Sequence, residues 1–178
     1  MSQISPVVVD VFSDIVSAMM VLKPDSSGYW EIQFNCGRYN QIIKPLIDKD
    51  NSITLKDKKY PLVALQMPFT EDRSSTSFDS ILRVPRIVLA TISNLTDDVF
   101  KRYETDGTFK SILIPMYEEF LKQIAISKWT NISDPDAIKH RKRDSPGVQP
   151  IGEGLSDYVD IIEILNLEIP LLNIKNCN

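Results

Sequence analysis

Asp157-Tyr158-Val159-Asp160-Ile161-Ile162-Glu163 leads directly into Ile164-Leu165-Asn166-Leu167-Glu168-Ile169-Pro170-Leu171. In the second half of this stretch, Leu165, Leu167, Ile169 and Leu171 share one parity, and Asn166, Glu168 and Pro170 share the other. Successive side chains of a β-strand point to opposite faces, so this alternation predicts a strand with one face buried. A strand of that kind needs a sheet beside it and something apolar to cover it. The rest of the chain must supply both.

Just upstream lies a polar stretch, Asn131 to Gly154, containing Lys139-His140-Arg141-Lys142-Arg143. Structureless loops longer than about 12–15 residues are uncommon in compact domains unless they act as lids, binding arms or linkers. Pro146, Gly147, Pro150, Gly152 and Gly154 favour a flexible or extended segment. Residues 131–154 are therefore expected to form a long inserted loop or arm, with Trp129 anchoring its entry and Asp157 marking the return to the sheet.

Further upstream, Ser5-Pro6 reads as an N-cap and first-turn proline. Val8, Val11, Phe12, Ile15, Val16, Met19 and Leu22 then recur at helical spacing, predicting an amphipathic helix over 6–22. Tyr29 to Phe34 alternates and predicts a strand. Tyr39 to Ile47, with Pro45 inside, is ambiguous, and Asp48-Lys49-Asp50-Asn51 is expected to end it as a turn. Ile53-Thr54-Leu55 is open between a short edge strand and a hairpin arm. Tyr60 to Pro68 is almost continuously apolar and predicts a buried central strand. Thr70 to Asp79 reads as a polar loop. Pro85 is expected to break Ile81 to Ser93, leaving Arg86 to Ile92 as a second buried strand. Thr96-Asp97-Asp98 starts a short helix to about Tyr103, with acids suiting the helix dipole. Phe109, Ile112, Leu113, Met116, Tyr117, Phe120, Leu121 and Ile124 mark the longest helix. Pro115 either kinks that helix or marks its start. Together these elements predict a single α+β domain: a mainly antiparallel sheet packed by an N-terminal helix and a long helix in the C-terminal half, with 131–154 as an extended arm.

The chain has 178 residues, 43% of them hydrophobic and 25% charged. That is enough length and apolar content for a substantial core. The formal net charge is −4; Lys139, Arg141, Lys142 and Arg143 contribute +4 to it, so the rest carries −8. An acidic body with one basic segment argues against nucleic-acid binding over the whole surface. It suits docking of the basic segment on an acidic neighbour, including a second copy. Cys36 and Cys177 form no disulfide framework or metal spacing and read as free thiols in a reducing compartment. Met1 to Pro6 lacks a basic n-region, and no apolar run reaches the ~18–20 residues of a membrane span. A soluble protein made in a cytoplasm, with no membrane association, is expected.

Chemistry-bearing motifs are sparse. His140 is the one histidine, with no Ser-His-Asp or Cys-His arrangement around it, and reads as a solvated loop residue. There is no Walker A segment and no G-x-G-x-x-G. Asp97-Asp98 reads as a helix start and Glu118-Glu119 as a solvated helix face. Asp160 and Glu163 fall on opposite faces of a strand, which spoils a shared metal site. No cofactor, no metal and no enzymatic activity are expected. The basic run has three readings: a solvated loop, a phosphate-binding segment, or a contact with an acidic subunit. No interleaved aromatics support the second, and the acidic remainder favours the third.

Four features in order carry a resemblance: the N-terminal amphipathic helix, Tyr60-Pro61-Leu62-Val63-Ala64-Leu65, Phe109-x-x-Ile112-Leu113-x-Pro115-x-Tyr117, and Asp157-x-x-Asp160-x-Ile162-Glu163-Ile164-x-Asn166-Leu167. This pattern resembles the tail-terminator and neck-ring (head–tail connector) proteins of tailed bacteriophages, particularly those infecting Bacteroidetes-like hosts. The resemblance implies a structural virion subunit without turnover. It would form a homo-oligomeric ring beside other neck, portal or tail-tube proteins, with DNA passing through the lumen. On that expectation Lys139, Arg141, Lys142, Arg143 and Trp129 make the intersubunit contact. Residues 131–154 match no motif of the family. The competing expectation is a small enzyme or ligand-binding protein whose lid is 131–154.

Overall fold

The alternating stretch forms β6 (Val159–Leu172), which pairs along nearly its whole length with β4 (Asp79–Ile92). The computed structural model describes residues 7–52, 54–55, 58–72, 79–94, 97–148 and 157–172. Among them are β1 (Gln33–Gly37), β2 (Leu62–Gln66), β3 (Thr70–Asp72) and β5 (Lys139–Val148), giving six strands in one sheet. Its order is β1-β2-β4-β6-β5, with β3 beside β4; only the β1–β2 pair is parallel. The helices are α1 (Val8–Ser17), α2 (Tyr39–Asp50) and α3 (Ile114–Ile126). The fold is α+β, as the sequence predicts.

The sheet is covered on both faces. Against one, α1 and α3 bury Val11, Phe12, Ile15, Met116, Phe120 and Ile124 on Leu82, Val84, Ile87, Leu89, Ile162, Ile164, Leu167, Ile169 and Leu171. Phe12 and Phe120 stack there with ring centroids 6.2 Å apart. Each such side chain, fully removed from water, contributes about 1.5–3 kcal/mol. Against the other face, α2 places Ile42, Ile43 and Leu46 over Leu62, Ala64, Ala90, Val159 and Ile161. The ambiguous segment is thus a helix that continues through the expected turn to Asp50. Its amphipathic stripe outweighs the one hydrogen bond that Pro45 forfeits.

β4 does not break at Pro85. The strand passes through it because Asn166, opposite on β6, has φ 53°, and the pairing skips both residues while Val84–Leu167 and Arg86–Leu165 keep a common register. One extra residue on each strand shifts the side-chain parity of both together. Inward positions therefore run 82, 84, 87, 89 on β4 and 162, 164, 167, 169 on β6. Leu165, expected on the buried face, is consequently outside that core.

Other boundaries also move. The first helix begins at Val8 and ends at Ser17; Ser5 and Pro6 lie outside the described residues. The first strand starts at Gln33, not Tyr29, and Thr70–Asp72 is a strand where a loop was expected. The long helix is continuous through Pro115: a π-helical turn, Phe109–Leu113, leads into α3. That wider turn accommodates a ring that would crowd the carbonyl four residues back. Asp98 does start a helical turn, accepting from the Lys101 amide at 2.9 Å, although only Lys101–Tyr103 follows as a 3₁₀ turn.

The largest departure is the arm. Residues 139–148 form β5, paired with β6 from Lys139–Glu168 to Val148–Val159. A basic run can be a strand at a sheet edge, where one side and part of each face meet water. The strand also meets acids on β6, which alternation alone does not reveal. Pro135–Ala137 forms a short 3₁₀ turn before it; the expected remainder of the arm, 149–154, lies outside the described residues.

Candidate interaction surface

Strand β5 occupies an edge, so among the described strands only β6 pairs with its main chain. Alternation divides its charges. Arg141 and Arg143 stand opposite Leu165 and Glu163, on the face that carries α2. Arg143 donates to Glu163 through Nε, and Arg86 of β4 pairs with the same carboxylate. Glu163 is fully buried between them. Burial alone would raise its carboxyl; the hydrogen bond from Arg143 and the Arg86 charge outweigh this and hold it below the usual carboxylate value. Arg83, further along β4, bridges Glu168 and Asp72 at 3.1 Å each. Lys139 and Arg141 are exposed.

The other face of β5 meets α3. His140 Nδ1 donates to the Ile138 carbonyl at 2.8 Å, because a carbonyl only accepts. In the neutral ring, Nε2 then accepts from the Tyr117 hydroxyl at 2.6 Å. His140 is thus a fixed, half-buried strand residue and not a solvated loop histidine. Lys142 lies 5.3 Å from the Tyr117 ring centroid and pairs with Asp144 at 3.1 Å. The five residues expected to act together therefore separate: Arg141 and Arg143 face one side, Lys142 the other, and Lys139 begins the strand. Trp129 sits elsewhere, donating to Asp14 of α1 at 3.1 Å while its carbonyl accepts from Leu172 at the end of β6. It anchors the entry to the segment, as expected, but away from the basic face.

A second cluster ties the 93–108 connection to the sheet. The guanidinium of Arg102, 7% exposed, pairs with fully buried Asp160 and donates to Ser93 and to the carbonyls of Asn94 and Asp97. Asp160 also accepts from Thr108 and, at 2.7 Å, from the Gly147 amide. Gly147 has φ 61°, and a Cβ there would sit 2.9 Å from the Arg102 guanidinium. The segment held in this way presents Val99 and Phe100 to solvent, 55% and 84% exposed. Asp160 and Glu163 do lie on opposite faces, as alternation predicts, each with its own arginine. What the sequence reading missed is Arg102; its signal was an acid embedded in the apolar run Val159–Ile164, which demands a buried cation.

Two of the recesses among the described residues bear on binding. One, of about 180 Å³, opens between α2 and the sheet; Ile42, Leu46, Ala64, Ala90 and Ile161 form its apolar walls, with Tyr39, Gln66 and Arg86 among its lining. The other lies beside Lys59, which is buried and paired with Asp50 and Asp157. Burial would lower the Lys59 ammonium, but the two carboxylates raise it overall, so the amine is held as a cation rather than a nucleophile. Burial, reinforced by the same carboxylates, pushes the neighbouring Tyr60 phenol up. Cys36 is a free thiol, raised by burial; Cys177 lies outside the described residues. Among the described residues no group of His, Cys, Asp and Glu is arranged to hold a metal, and no helix is long and apolar enough to cross a membrane. No family model matches the chain, and no curated protein or solved structure matches it.

Proposed function

We propose that the chain is a structural subunit of a homo-oligomeric ring, acting at the neck or tail top of a tailed bacteriophage as a tail terminator or head–tail connector. The observation that carries the ring reading is β5: an edge strand bearing Lys139, Arg141, Lys142 and Arg143 on a chain whose remainder is acidic. Complementary charge of this kind sets register between subunits more than it adds raw affinity. The virion assignment rests on the sequence resemblance. Its four features fall in α1, in β2 and the two residues before it, in the π turn and first residues of α3, and in β6 with the two residues before it. Neighbouring portal or tail-tube proteins are the partners this implies, with DNA in the lumen as a non-specific neighbour.

Electron microscopy of the purified protein tests the reading: closed rings or stacked rings are expected, and uniform monomers at high concentration would overturn self-assembly. Neutralising Lys139, Arg141 and Lys142 together, and sparing Arg143 because it pairs with buried Glu163, is expected to abolish rings while leaving folded monomers. A second reading, binding of a small apolar ligand, is favoured by the recess under α2. Residues 139–148 of the segment expected to be its lid form a sheet strand.

A further inference from the structure

Phe100 is 84% exposed, the highest value among the large apolar side chains of the described residues. A buried, fully hydrogen-bonded arginine–aspartate pair holds the segment that carries it. Val99 beside it is 55% exposed, so the fixed segment presents an adjacent apolar pair to water rather than one isolated side chain. We infer that Phe100 of one copy enters the apolar recess beneath α2 of a second copy. This rests on the ring reading above and supplies its contact.

Three observations fit that occupant. The recess measures about 180 Å³, close to the apolar cavity of roughly 150 Å³ that holds a benzene ring. Charge is complementary. Asp98, Glu104 and Asp106 surround Phe100 in the sequence and are exposed, outnumbering the exposed Lys101 beside it, whereas Arg86 lines the recess and is joined through Glu163 to Arg143. Finally, Asp160, which fastens the Phe100 segment, and Val159 and Ile161, which line the recess, alternate along β6 and face opposite sides of the sheet. Each copy therefore offers two different patches. Such head-to-tail contacts close into rings when the rotation permits. A buried aromatic anchor within a charged rim is also the usual form of an interface hot spot.

The test is light scattering across a concentration series on wild type, Phe100→Ala, Ala90→Leu, which adds bulk to the recess wall, and Tyr39→Glu, which sets a like charge on the recess lining against the acidic Phe100 segment. Melting temperatures near wild type identify folded variants; Phe100→Ala removes only an exposed side chain, so it decides even if Ala90→Leu unfolds. Each folded variant is expected to need roughly 30-fold higher concentration to associate. An equimolar mixture of Phe100→Ala and Ala90→Leu should give heterodimers that grow no further, because one intact Phe100 meets one intact recess. Association of Phe100→Ala at the wild-type midpoint overturns this contact and leaves the ring reading standing. Wild type that stays monomeric throughout overturns both. The fluorescent probe anilinonaphthalene sulfonate should bind Phe100→Ala but not the wild-type assembly; equal binding to both would make the recess a ligand site and overturn the inference.

Discussion

Asp160 and Glu163 are fully buried carboxylates three positions apart on one strand, each held by different arginines on different sides of the sheet. Removing one member of a buried pair leaves the other charged and unpartnered. Asp160→Asn is therefore expected to destabilise the fold by about 3–5 kcal/mol in urea melts, more than Asp160→Leu combined with Arg102→Met. Equal losses in the two variants would show that the pairing is not what stabilises this site. Glu163 makes stability depend on pH. Its folded carboxyl is depressed below 4.5, so its contribution is complete above that value and is lost as pH falls from there through the folded pKa. The stability gap between wild type and Glu163→Gln should shrink in melts taken from pH 6 down to 3; a constant gap would contradict this. Lys59 has the opposite sign: raised above 10.5, it contributes fully below that value and loses its effect as pH climbs through the folded pKa. At this scale the sequence reads well for parity, as Asp160 and Glu163 show, and poorly for partners. Arg102 lies 58 positions from Asp160, and no local period connects them.

Among the elements, β5 shows how composition misleads. Five consecutive cationic or titratable residues suggested a solvated arm, yet charges on an edge strand cost little when Glu163 and Asp144 are in reach. The period-2 rule succeeded for β6 from Leu167 onward and failed at Leu165, because Asn166 adopts a left-handed conformation that resets the parity. Asn tolerates that conformation; a β-branched residue does not. Asn166→Val is expected to cost about 1–3 kcal/mol, while Asn166→Gly stays within about 1 kcal/mol of wild type. Chemical denaturation of the two side by side checks this, and similar losses for both would show that backbone conformation is not what Asn166 supplies. For α2, Pro45 obscured the helical period, and only the apolar face of the sheet opposite it explains why the helix persists.

For the whole molecule, sequence predicted the fold class and two helices packing the sheet, but not that both share one face or that a third helix covers the other, since strand order is not written in any single segment. The segregation of charge does read directly from the sequence, and it carries a further expectation. If basic β5 and the acidic segment around Phe100 meet between copies, assembly should weaken steadily as salt rises from 50 mM to 500 mM, with no change in the melting temperature of the dissociated subunit. Salt-independent assembly in sedimentation runs would count against electrostatic registration. The paired extra residues at Pro85 and Asn166 have a consequence for how the chain tolerates changes in its length. Deleting either one should slide half of a two-stranded ladder out of step and turn its apolar side chains outward. Deleting both should restore an ordinary alternating ladder with Val84 and Ile87, and Ile164 and Leu167, still facing the core. The two positions thus form a compensating pair 81 residues apart, where two lesions together are milder than either alone.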